Sequence, residues 1–491
     1  MSLLGLLHGA ASARGDEPAI HGPDLDLTYA ELLGRAEAVA HYLTHEHGLN
    51  RGDRVVYLGF NSIGLLVLVF AAARAGLMVC PLNWRLAEEE LAWTIADAEP
   101  RLLVADAHHA SLAEKMASAR PVVQLGQINN VASGTTLEAP EPGPDTPLLL
   151  VHTSGATGRP KGAVLTQGAV VANAHLSWDM HAMTAADHVL TGLPMFHVGG
   201  LNIQTLPALL CGAEVTVMDR FEPGACLAAI RDTRPTLTVQ VPATFQALMA
   251  HPDWEATDLS SLRAIATGST DVPVPIIEAV HARGIPVIQI YGATETGPVV
   301  VYQKIADARE QIGSIGRAGP GVDVQITGPD GSALPVGEAG EIWLRSPTLA
   351  SGYWRNEAAN AAFAGGWFRT GDVARRDENG YFWFADRIKN VIISGGENIY
   401  PAEIERVLAE MPEIAEASVV GQPDPKWGMV PVAAVVARAP VTEADILAGF
   451  KGKLARFKHP KAVLFVEALP RNAMGKILPD RVRAMFGNSN A

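Results

Sequence analysis

Short apolar runs at Arg54–Leu58, Val79–Leu82 and Leu102–Ala105 alternate with segments whose apolar residues return at helical spacing, Tyr29 to Leu43 and Glu88 to Ala96. This alternation predicts α/β layering from about Thr28 to Ala105. The same signal recurs further on. Strands are expected at Glu214–Met218, Thr236–Val241, Ala264–Thr267 and Val287–Ile290, with helices over Ala243–Met249 and Pro275–Arg283 between them. Ile63 to Ala73 is apolar on every side and is closed by Arg74. It falls well short of the ~20 residues that span a bilayer, so a buried helix is predicted there.

The pattern then changes twice. Gln127 to Pro147, rich in Pro, Gly, Asp, Thr and Glu, reads as an exposed connection. After Gly313, strand-like segments are broken by Gly-Pro, Pro-Asp-Gly and Pro-Val-Gly turns, the pattern of a β-rich subdomain. From Val391 a strand leads to Gly395-Gly396 and then to a helix opened by Pro401, with Glu403 in its first turn and Ile404, Val407, Leu408 and Met411 on one face. The expected fold class is α/β: a large N-terminal domain of two α/β layers plus a β-rich subdomain, residues 1–388, and a small α+β C-terminal domain, residues 389–491. The boundary falls within Asp386 to Asn390, and no internal repeat is visible.

Composition narrows the function. The 491 residues are 48% hydrophobic and 18% charged, proportions of a globular protein able to bury large cores. A net charge of −14, from 38 basic and 52 acidic residues, argues against broad binding of nucleic acid or anionic membranes. An anionic ligand therefore has to be met by local basic groups. The three cysteines, Cys80, Cys211 and Cys226, make neither a disulfide framework nor a zinc-ligand spacing, so a reducing, cytoplasmic setting is expected. The opening MSLLGLLHGAASA imitates a secretion signal, but it lacks a basic leader and His8 interrupts its apolar part.

The most informative segment is TSGATGRPKG, Thr153 to Gly162, which follows the apolar run Pro147–Val151. A buried strand thus empties into a loop rich in hydroxyls, glycine and positive charge. Glycine lets backbone N–H groups approach an anion, Thr153, Ser154 and Thr157 offer hydroxyls, and Arg159 and Lys161 bring charge. The loop is not a Walker motif, because Lys161 stands between Pro160 and Gly162 rather than before Ser or Thr.

Together with PMFHVGG (Pro194–Gly200), YGATETG (Tyr291–Gly297), WFRTGD (Trp367–Asp372), DRIKNVIISGGENIYPAEIE (Asp386–Glu405) and PRNAMGKI (Pro470–Ile477), this loop gives the chain an end-to-end pattern. It resembles the acyl-adenylate-forming, AMP-binding superfamily, in particular carboxylic acid:CoA ligases of the bacterial fatty-acyl and aryl, hydroxycinnamoyl-type, kinds. The resemblance implies that ATP and a small-molecule carboxylic acid give an acyl-adenylate and pyrophosphate, after which the CoA thiol displaces AMP. A carboxylate is a poor electrophile, whereas AMP leaves readily from a mixed anhydride, so one hard substitution becomes two accessible ones.

The resemblance also implies roles. Thr153, Ser154, Gly155, Thr157, Gly158 and Lys161 would hold the β- and γ-phosphates, with Thr157 touching phosphate. Glu295 would orient Mg²⁺, and Thr294 would contact the α-phosphate. Gly268, Ser269, Tyr291, Gly292 and Ala293 would line the nucleotide and acyl sites. Asp372 would accept hydrogen bonds from both ribose hydroxyls, and Arg387 would reach the ribose or phosphates. Lys389 takes the hinge position, with an ordinary surface cation as its other reading. Lys476 would be the mobile cation of adenylation, withdrawing afterwards as the small domain rotates and the Ser394-Gly395-Gly396 loop shapes a pantetheine tunnel. His197 stands near the junction of carboxylate and thiol, either gating the pocket or purely structural. Val241, Pro242, Phe245 and Thr267 are further lining candidates, although Val241 and Phe245 read equally well as core.

Departures from the pattern are Ala156, where a hydroxyl is frequent, Gln167, where histidine is common, and Gly268-Ser-Thr-Asp271. None removes a needed charge. His41, His45 and His47 have a spacing that could hold a metal, but no cysteine or carboxylate set accompanies them, so surface histidines are expected. Two other functions remain: an adenylating enzyme that loads a carrier protein, which CoA-dependent thioester release distinguishes, and a silent nucleotide-binding protein, which would bind ATP without forming pyrophosphate. A homodimer is possible; nucleic-acid partners and a membrane span are not expected.

Overall fold

The computed structural model describes residues 2–23, 25–153, 160–268, 272–395, 397–471 and 476–487. Among them, four sheets organise the chain. A six-stranded sheet is built around Arg54–Leu58, whose parallel neighbours are Met78–Pro81 and Leu102–Ala105. At its edge the strand Pro147–Thr153 pairs with Lys161–Thr166 as an antiparallel hairpin, Thr153 lying opposite Lys161. A nine-stranded sheet carries the parallel strands Leu237–Gln240, Ala264–Thr267 and Val287–Tyr291 side by side. These are the two α/β layers that the hydrophobic alternation predicts.

The layers share one core. Every residue of the helix Ile63–Ala75 is buried, which explains why its sequence has no polar face. Ser62 caps its start and Gly76, at φ +73°, closes its end in the left-handed region that glycine tolerates. Gln167 docks here too, its amide donating to the carbonyl of Ala73 at 2.8 Å.

The signal-like opening folds as the helix Leu3–Arg14, with Leu3, Leu4 and Leu7 in the core. The connection from 127 to 147 is exposed over most of its length but is not loose. Leu125–Asn129 is helical, and Arg51 and Arg74 donate to the carbonyls of Pro140 and of Leu137 and Ala139. Arg74 in turn is held by Glu37 in a buried ion pair at 2.9 Å. Composition reveals the missing secondary structure, whereas these arginine contacts depend on distant residues.

The β-rich subdomain is a five-stranded antiparallel sheet including Ala339–Arg345, Trp367–Arg376 and Phe382–Arg387. A second five-stranded sheet, with the long pair Ile414–Asp424 and Gly428–Ala437, forms the small C-terminal domain. The helix Pro401–Ala409 packs Ile404, Val407 and Leu408 into that domain's core. Asp386 stitches the two regions: Asn390 Nδ2 donates to its Oδ1 at 3.0 Å and Ala402 N–H to its Oδ2 at 2.8 Å. No described helix is long and apolar enough to cross a membrane.

Candidate active site

Strand register creates the centre of the site. Asp372 and Arg387 face each other across the antiparallel strands Trp367–Arg376 and Phe382–Arg387, and their side chains meet with Arg387 Nε 3.1 Å from Asp372 Oδ1. Tyr291, the last residue of a nine-stranded-sheet strand, donates its hydroxyl to Asp372 Oδ2 at 2.9 Å. Asp372 is only 7% exposed, and Oδ1 accepts no hydrogen bond from the protein. Loss of hydration raises its pKa, against the opposing pull of Arg387, Tyr291 and Lys476. Oδ1 is thus a buried acceptor, charge-balanced by a guanidinium and still lacking a hydrogen-bond donor. Burial and the adjacent Asp372 charge together push the Tyr291 phenol up, so it stays a donor.

Lys476 reaches this same centre from the small domain. Crowding by the chain strips water from its ammonium, and repulsion from Arg387 and Lys389 adds to the effect. Attraction to Asp372 only partly offsets these, leaving the pKa lowered to about 8. Lys389 is lowered for the same first reason, with Arg387 again adding. Three cations and one buried carboxylate therefore converge where the two domains meet.

Glu295 sits in the short turn Thr294–Thr296, 8% exposed, directly after the Tyr291 strand. The turn needs a close approach: a Cβ on Gly292 would lie 1.7 Å from the carbonyl oxygen of Pro298. Tyr353 donates to Glu295 Oε1 at 2.7 Å, and Lys161 Nζ stands 5.4 Å from the centre of the Tyr353 ring. Glu295 is linked in this way to the hairpin that carries the glycine-rich loop. No group of three or more His, Cys, Asp and Glu side chains able to hold a metal occurs among the described residues, the His41–His45 stack included. One buried carboxylate suits Mg²⁺, which binds few protein oxygens and keeps phosphate and water ligands.

His197 begins the short helix Val198–Asn202. Burial, with Arg85 adding, pushes its pKa down to about 4, so the ring is neutral at pH 7 and a weak base. Arg85 also lies over the rings of Trp84 and Phe196. The helix packs hard against the preceding backbone, since a Cβ on Gly200 would stand 2.3 Å from the Pro194 carbonyl oxygen. In the small domain Gly395, at φ +59°, has its N–H on the Trp427 carbonyl at 2.8 Å, and a Cβ there would meet the Trp427 ring at 2.7 Å.

The structure therefore brings together Tyr291, Asp372, Arg387, Lys389 and Lys476, and joins Glu295 to Lys161 through Tyr353. Thr153 lies at the hairpin's end, and Gly268 packs on Ile290. Ser154, Gly155, Ala156, Thr157, Gly158, Ser269 and Gly396 lie outside the described residues. Motif reading overlooks Tyr353, Arg85 and a triplet behind the phosphate-loop hairpin. In that triplet His152 Nε2 is 2.9 Å from Asp97 Oδ2 and its Nδ1 is 3.6 Å from Cys80 Sγ. Only the His beside Thr153 hints at it in sequence.

Comparison with known proteins agrees with this geometry. Residues 7–354 match the AMP-binding enzyme family and residues 403–476 the AMP-binding enzyme C-terminal domain, so the chain belongs to the AMP-binding enzyme family. It is 46% identical to the indoleacetate–CoA ligase of Aromatoleum aromaticum, over 95% of this chain and 94% of that one. It is 40% identical to a feruloyl-CoA synthase of Amycolatopsis, over 94% of each. Among solved structures, o-succinylbenzoate CoA synthetase from Bacillus subtilis with its acyl-adenylate superposes at a TM-score of 0.88, with 31% identity over 97% of both chains.

The triplet makes a pH prediction. Burial opposes a charged His152, but the Cys80 sulfur and the Asp97 carboxylate outweigh it and push the pKa up to about 9. A group raised in the folded state adds stability that is complete below its unfolded pKa of ~6.5 and is lost as pH climbs through its folded value. The melting-temperature difference between the wild type and Asp97→Asn should be largest near pH ~6 and shrink steadily toward pH ~10. A difference that does not change with pH would contradict the charged-histidine reading.

Proposed function

We propose that this protein is an AMP-forming acid:CoA ligase whose acid is aromatic, of the arylacetic or arylpropenoic kind. The observation that carries the ligase reading is the unsatisfied, buried Oδ1 of Asp372 beside Arg387 and Lys476, in a chain of this family. The aromatic preference rests on the two relatives that act on indoleacetate and ferulate. We place the domain boundary at Ile388/Lys389, and the protein in the cytoplasm, where ATP, CoA and free thiols coexist.

In this reading Asp372 accepts the ribose hydroxyls, and Arg387 holds the carboxylate charged while turning toward the nucleotide. Thr153, Lys161 and the loop between them cradle the β- and γ-phosphates. Thr294 reaches the α-phosphate. Glu295 would hold Mg²⁺, which supplies neutralising charge to the phosphates when bound; Tyr353 fixes that carboxylate by occupying one of its oxygens. Lys476 bridges the acid's carboxylate and the α-phosphate, so that attack of the carboxylate oxygen on phosphorus expels pyrophosphate without two bare anions meeting. The CoA sulfur then attacks the acyl carbon, AMP departs, and the thiol proton passes to solvent. A neutral His197 lets the carboxylate pass and does little as a base.

Lys476 separates the two half-reactions. Lys476→Ala should slow acyl-AMP formation about 10²–10³-fold, by analogy with loss of one oxyanion donor, while thioester formation from supplied acyl-AMP stays within a few-fold. Equal losses in both would contradict the assignment. In the wild type, kcat/KM for adenylation should fall as pH rises through about 8, because the ammonium is the working form.

The substrate class is tested by pyrophosphate release from an acid panel, with and without CoA. Indole-3-acetate, ferulate and related aryl acids should outpace saturated fatty acids, and CoA should yield the aryl-CoA thioester. Faster turnover of long-chain fatty acids would overturn the aromatic reading. Acid-dependent pyrophosphate release with no CoA thioester would favour a carrier-protein acceptor.

A further inference from the structure

Gln204 lies just after the helix Val198–Asn202 and is 2% exposed. The neighbours of its amide fix which way it points. Its partner His181 is fully buried, and loss of hydration, with Arg263 adding, pushes the ring's pKa down to about 4. The ring is therefore neutral, with one N–H and one lone pair. His181 Nδ1 is 2.9 Å from the Ser177 carbonyl oxygen, which can only accept, so Nδ1 carries the hydrogen and Nε2 is the acceptor.

Gln204 Nε2 donates to that acceptor at 2.9 Å, and to the Thr238 carbonyl oxygen at 3.4 Å. Turning the amide over would set an oxygen against two acceptors. Both amide hydrogens are thus committed, and the buried Oε1 accepts no hydrogen bond from the protein. A buried acceptor without a donor is unfavourable and uncommon in a folded protein, and pairing it releases free energy.

Gln204 borders a small cavity together with Gly192, Leu193, Gly199, Gly200 and Val239. The cavity is just large enough for about one water-sized group. Leu193 and the Gly199-Gly200 pair belong to or adjoin the segment read as the wall of the acyl pocket; Gly199 leaves open space there, whereas Gly200 packs against the backbone of Leu193 and Pro194.

We propose that Gln204 Oε1 is a specificity-determining acceptor at the end of the acyl pocket, selecting aryl acids that carry an N–H or O–H donor remote from the carboxylate. The inference rests on the aromatic reading above and deepens it. An indole N–H is the donor of choice, being fixed in a planar ring and unable to accept in return. A ring of the same shape with an ether oxygen in its place sets acceptor against acceptor.

The test compares indole-3-acetate with 1-benzofuran-3-acetate by kcat/KM for pyrophosphate release, in the wild type and in Gln204→Met. The wild type should favour the indole acid by about 10–100-fold, as expected for a site that pairs with a substrate donor and meets an analogue lacking it. In Gln204→Met the ratio should fall to within about threefold of one; being a ratio, it does not depend on how much variant folds. If the variant yields no folded protein, the wild-type ratio decides. A ratio near one in the wild type, or one that survives in Gln204→Met, overturns the proposal, the acceptor then serving a bound water. Turnover of both aryl acids at equal rates leaves the aromatic reading standing, whereas turnover of neither, with fatty acids accepted, overturns both.

Discussion

The site depends on a carboxyl group held in a buried place, where loss of hydration outweighs the pull of its cationic and hydroxyl neighbours. Asp372 is set opposite Arg387 by strand register, receives the Tyr291 hydroxyl from a different sheet, and draws on Lys476 from the other domain. Removing a carboxylate from water is costly unless cations and donors compensate. Here the compensation comes from three separate parts of the chain, so the buried acid ties together the nine-stranded sheet, the β-rich subdomain and the small domain. Its remaining oxygen is a buried acceptor that receives no hydrogen bond from the protein.

The cation excess beside it has the opposite character. Both lysines hold their protons less firmly than usual chiefly because burial strips their ammonium groups of water, with repulsion from Arg387, and for Lys476 also from Lys389, adding to it. A triphosphate and a carboxylate would balance this cation excess, so the electrostatic strain of the free protein favours binding of those anions.

Much of this was legible in the sequence. Short apolar runs and helical patterns mark both α/β layers, because a strand covered on both faces buries every residue and a helix one stripe; the all-apolar Ile63–Ala73 lies in a helix buried on every side. The motifs also name the residues that meet, Tyr291, Asp372, Arg387 and Lys476, since each belongs to a segment with a recognisable local pattern; Tyr291 and Arg387 end strands and Asp372 lies within one. What stayed hidden are partners whose meaning is purely spatial. Tyr353 looks like any aromatic in a turn until it reaches Glu295, and His152, Asp97 and Cys80 come from three elements with no shared pattern. Gln204 is the extreme case: its significance lies in an atom that has no partner, which only the positions of His181 and Thr238 reveal.

The most direct measurement is calorimetric binding of a non-hydrolysable acyl-adenylate analogue to the wild type and to Asp372→Asn, which keeps the shape and removes the charge. Hydrogen bonds to an ionised group are worth ~1.5–3 kcal/mol, so the account predicts affinity weaker by about tenfold to a hundredfold, with binding of free pyrophosphate nearly unchanged. Equal affinity of the folded variant for the analogue would contradict the claim that this buried carboxylate is where the nucleotide is held.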